Sequence, residues 1–120
     1  MVENFRSFQA RDPFGEVWQV SFLWLQNAIS IRHSDSVDVK FALYDGAQRS
    51  EKVIALLHPH LLELGRKTGR PITDPRCSRL AALHLQHMLE TGEDMEKTLV
   101  TARLEDLETY SAALEKHAAA

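Results

Sequence analysis

Trp18, Val20, Phe22 and Trp24 occupy every second position of the stretch Glu16–Gln26. Side chains that repeat with period two belong to an extended chain, so this spacing predicts a β-strand with one large apolar face against a core. Three further runs rich in Val, Ile, Phe and Leu follow it, and beyond residue 58 the apolar spacing becomes helical. Strands first and helices after is the signature of an α+β domain, in which helices segregated along the chain cover a sheet built by its first half.

The punctuation between the runs agrees with that division. Asp12-Pro13-Phe14-Gly15 has the residues of a type I turn, joining a first strand near Phe5–Ala10 to Glu16–Leu25. Gln26-Asn27 then reads as a tight hairpin into Ala28–His33, which opposes Trp24 to Ile29, Phe22 to Ile31 and Val20 to His33. Val37, Val39, Phe41 and Leu43 alternate with Asp38, Lys40 and Tyr44, a strand with one dry and one wet face. Asp45–Ser50 reads as a loop, and Lys52–Leu57 as a last strand of the meander.

Helix signals follow. Pro59 suits a first helical turn, Gly69 a C-terminal cap, and Asp74-Pro75 a second start with Asp74 as N-cap. Cys77, Leu80, Ala81, His84 and Met88 form the stripe of that second helix, which Thr91-Gly92 ends. Thr91-Gly92-Glu93-Asp94 also has the composition of a capping box opening a third. The stretch 98–101 is β-branched enough to be extended, yet also fits inside one long helix. Leu104, Leu107, Tyr110 and Leu114 restore helical spacing up to about His117.

The chain is long enough, at 120 residues, to bury a core without staples. A net charge of −3 gives no electrostatic footprint for nucleic acid, which is therefore disfavoured as a partner. One cysteine excludes an intrachain disulfide and fits a reducing compartment. There is no apolar run of membrane-spanning length and no signal-like N-terminus, so the expectation is a soluble, cytoplasmic protein. Charge is patterned locally: Gly65–Arg79 carries +4, and Glu90–Glu108 carries −5.

Six histidines raise the question of a metal. His58 and His60 flank Pro59 at the strand-to-helix junction, His84 and His87 are three apart on a helix, and Cys77 precedes His84 by two turns. Imidazole and thiolate suit zinc or a similar transition metal. No zinc-protease pattern and no CxxC pair is present, however, and Cys77 and His84 sit within an apolar stripe, as core residues do. Arg66, Lys67 and Arg70, just before the helix start at Asp74-Pro75, are the candidate anion-binding residues. No nucleophile elbow and no phosphate-cradling glycine loop occurs.

These observations point to a single domain, 1–120, with strands over about 5–57 and helices over about 59–117. A four- or five-stranded antiparallel meander carries two to three helices on one face. The expected role is a small non-enzymatic interaction or regulatory module with no cofactor, forming a homodimer through apolar positions such as Leu23, Leu25, Leu104, Leu107 and Leu114, with an unidentified protein as a further partner. The alternative is a metal- or small-ligand-binding protein, conceivably a hydrolase, with the histidines converging where sheet meets helices.

Overall fold

In a computed structural model, residues 4–28 and 35–119 are described. Strands β1 (Ser7–Arg11), β2 (Val17–Ala28), β3 (Ser36–Asp45) and β4 (Gln48–Leu57) form an antiparallel meander. Helices α1 (His58–Thr68) and α2 (Asp74–Thr91) follow, then β5 (Leu99–Thr101) and α3 (Leu104–Ala119). The sheet order is β1-β2-β3-β4-β5, and β5 lies parallel to β4. The α+β reading therefore holds, with one strand of the sheet drawn from the helical half.

The Asp12 turn forms as its residues require. The Asp12 carbonyl accepts the Gly15 N–H at 3.1 Å, and its carboxylate accepts the Phe14 and Glu16 amides at 2.9 and 3.0 Å. Gly15 takes φ +88°, a backbone open to glycine at little cost.

A β-bulge in β2 overturns part of the strand reading. Val20 pairs with Leu43 and Phe22 with Phe41, but the register then shifts, and Trp24 pairs with Lys40 and Leu25 with Val39. One extra residue exchanges the two faces downstream of it. Trp24 thus leaves the core face and lies under the Lys40 ammonium, 5.5 Å from the ring centroid. Leu25 turns inward against the core, contrary to its expected place beside Leu23. Gln26 and Asn27 belong to the strand, paired with Asp38 and Val37, rather than to a hairpin turn. Ile29, Ile31 and His33 lie outside the described residues.

β4 begins at Gln48, four residues before the expected start at Lys52, because a two-residue turn at Gly46 and Ala47 joins Asp45 directly to Gln48. Its polar start, Gln48–Glu51, masked the strand in a reading by hydrophobicity. Phe8, Val20, Val39, Phe41, Leu43, Ile54 and Leu56 line the covered face. Against them pack Leu61 and Leu64 of α1, Leu80, Leu85, Met88 and Leu89 of α2, and Leu107 and Leu114 of α3. Leu107 and Leu114 are therefore core residues and offer nothing to a partner.

Two helix boundaries move. Thr73 occupies the N-cap position of α2 without a side-chain bond, and Asp74 sits in the first turn. Gly92, at φ +77°, closes α2, and the segment after it leads into β5 rather than into a helix. β5 is held by Val53 N–H donating to the Thr98 carbonyl and Ala102 N–H donating to that of Ala55. Lys52 secures the approach: buried opposite Phe41, its ammonium donates to the carbonyls of Met95 (2.7 Å) and Lys97. Burial lowers the Lys52 pKa, with Glu96 acting against that.

Candidate functional site

α1 leaves the end of β4 without a loop, and the chain then doubles back through Gly69-Arg70-Pro71-Ile72 before α2. This return passes close over α1: a Cβ on Gly65 would lie 3.0 Å from the Arg70 carbonyl oxygen, so the close approach depends on glycine there. α1, the fold-back, the start of α2, the end of β2 and the start of β3 border a cleft of about 620 Å³ at the junction of sheet and helices. Val37, Leu61, Ile72 and Cys77 supply apolar surface, while Asn27, His58, Arg70 and Asp74 supply polar groups. An apolar cavity of this size with a few polar groups is the usual form of a small-molecule site.

Cys77 is almost wholly buried. Desolvation, assisted by the Asp74 charge, pushes its thiol pKa up to about 11, so it is protonated near neutral pH and a poor nucleophile. Of the five candidate metal ligands, His58 and Cys77 line this cleft. His60 lies on α1 with its Nδ1 buried and without a partner among the described residues.

His84 and His87 are engaged elsewhere on α2. His84 Nδ1 shares a hydrogen bond of 2.8 Å with the Tyr110 hydroxyl of α3, ring edge to ring face, and its buried Nε2 has no partner among the described residues. Burial lowers the His84 pKa and raises that of Tyr110, so each is held in its neutral form. His87 Nε2 lies 3.2 Å from the Glu93 carboxylate at the surface. The two imidazoles are near neighbours, with centroids 6.5 Å apart. Among the described residues no group of three or more His, Cys, Asp or Glu side chains stands together as a metal site.

The anion candidates are all ion-paired within the chain. Arg66 pairs with Glu63, Lys67 with Glu108 (3.1 Å), and Arg70 with Glu115, which Arg76 also engages at 2.7 Å. The basic segment therefore faces carboxylates of α1 and α3.

A second cleft, of about 520 Å³, went unread in the sequence because strict alternation placed Trp24 in the core. It is bordered by Phe5, Arg6, Phe22, Trp24, Leu25 and the first turns of α2, and it shares Asp74 with the larger cleft. The one local signal for the larger cleft was Gly65, a glycine inside a helical pattern, which often marks a close backbone approach. No helix among the described residues is long and apolar enough to cross a membrane. Comparison with protein-family models, curated proteins and solved structures finds no significant match for this chain.

Proposed function

We propose that the chain is a non-enzymatic interaction module that pairs with a second copy of itself through the helix-free face of its sheet. The observation behind this reading is the one-sided cover: α1, α2 and α3 pack on the face of Val39, Phe41 and Ile54, opposite Trp24, Tyr44, Val53 and Leu99. Leu99 is 57% exposed there, and Tyr44 37%. A two-fold pairing would bury this surface against its own copy. Lys40, Arg49 and Glu51 lie over part of the face in ion pairs at 2.9 and 2.7 Å, and exposed pairs of this kind contribute little energy. Apolar contact should therefore dominate. Sedimentation at micromolar concentration should give twice the chain mass at low and high salt, and Leu99→Lys with Val53→Glu should return it to one. A clean monomer in both salts would remove the reading.

The cleft of about 620 Å³ supports a second reading, binding of a small, largely apolar molecule whose polar end meets His58, Asn27 or Arg70. Here a thermal-shift screen of small amphipathic compounds is the test. Binders should lose their effect in Ile72→Trp, which fills the cleft; binders indifferent to that change, or none at all, would dismiss it.

A further inference from the structure

β2 outruns its neighbour. The last bond joining it to the first strand is the Phe22 N–H donating to the Arg6 carbonyl at 2.8 Å. From Leu23 to Ala28 the strand continues, paired to β3 alone, with no strand beside its other edge among the described residues. Along such an edge alternate residues turn an amide and a carbonyl outward, a template for one more strand. Of the described residues before β1, Phe5 packs against the core, beside Arg79 of α2.

The space beside this edge is the cleft of about 520 Å³. Its walls combine aromatic surface, from Phe5, Phe22 and Trp24, with two guanidinium groups. The Arg6 guanidinium lies 5.3 Å from the Phe22 ring centroid, and that of Arg79 lies 5.7 Å from the centroid of Phe5. Neither arginine has a carboxylate partner among the described residues, although Arg66, Arg70, Arg76 and Arg103 all do. Asp74 also borders the cleft, at the end it shares with the larger one. Guanidinium groups stacked on aromatic rings keep their outer N–H donors free for a carboxylate.

We infer that this edge binds an extended, acidic peptide segment of another protein, which adds as a strand beside Leu23–Ala28 and sets carboxylates on Arg6 and Arg79. Backbone bonding would supply attachment, and the two arginines with the aromatic walls would select side chains on alternate residues. The inference rests on the interaction-module reading but uses the edge of β2, which meets the helix-free face at Trp24.

A displayed library of random dodecapeptides, panned against the full chain, is the probe. Enriched peptides should be net acidic and free of internal proline. Measured singly by fluorescence polarisation, their affinity should fall at least tenfold in the Arg6→Glu, Arg79→Glu double variant and severalfold in each single Arg→Ala variant. Peptide binding should also slow amide exchange within residues 23–28. Unchanged thermal midpoints would show that these surface variants remain folded. No enrichment, enriched peptides without acidic bias, or affinity indifferent to both arginines would overturn the inference. The Val53→Glu, Leu99→Lys variant separates it from self-pairing: peptide capture by a monomeric variant upholds this edge alone, and loss of capture on monomerisation refutes it as an independent site.

Discussion

In an uninterrupted strand Leu23 and Leu25 share a face, and truncating either should cost the same. The bulge between Phe22 and Trp24 separates them. Leu25 opposes Val39 and packs against the core, whereas Leu23 is 38% exposed and has no place in the core cluster. Full burial of a leucine side chain is worth about 1.5–3 kcal/mol, and a leucine-to-alanine change in a core costs about 2–5 kcal/mol because a cavity remains. Leu25 keeps some exposure, which places Leu25→Ala near the bottom of that range, about 2 kcal/mol. Leu23→Ala forfeits a partial contact on an exposed bulge and should cost no more than about 0.5–1 kcal/mol, as surface substitutions do. The gap of at least about 1 kcal/mol is a factor of five or more in the folding equilibrium. Urea titration followed by the fluorescence of Trp18 and Trp24 measures it, provided that the m-value stays constant so that the midpoint shift reports stability. Equal losses, or a larger loss at Leu23, would refute the bulge and the face assignment that depends on it.

Other expectations follow from the same packing. Phe41→Ala, at a fully buried position in edge-to-face contact with Phe22 (centroids 6.1 Å apart), should cost about 3–5 kcal/mol in the same titration; a loss under about 1 kcal/mol would mean that β3 presents its other face to the helices. His84 is held below its ordinary imidazole range by burial, against the pull of Asp106. A folded-state pKa below the unfolded value makes its contribution full above about pH 6.5, falling away as the pH drops toward the folded value. The stability of the wild type relative to His84→Gln should therefore decline between pH 7.5 and 5.5, and parallel pH curves would contradict that. Chelator treatment should leave the thermal midpoint unchanged, since the core is large enough to hold the fold; a drop reversed by zinc would favour a metal site built on the histidines.

Element order was legible along the chain because it rests on local rules. Alternation at Val37–Leu43 could be satisfied only by a strand with one dry face, and Pro59, Gly69, Pro75 and Gly92 mark helix ends for steric reasons that act within a turn. What stayed hidden depends on residues far apart in sequence. The bulge follows from fitting β2 to β3, so no local pattern separates Trp24 from Phe22. The stretch 98–101 is short enough to be helix or strand until β4 offers its edge. The histidines look alike in sequence, yet packing gives His84 to Tyr110, His87 to Glu93 and His58 to a cleft. Arg66, Lys67 and Arg70 resemble an anion site until α3 brings Glu108 and Glu115 beside two of them. Periodicity and turn chemistry act over a few residues and determined the elements. Register, charge pairing and cleft formation sum contacts over the whole chain, so only the tertiary structure decided them.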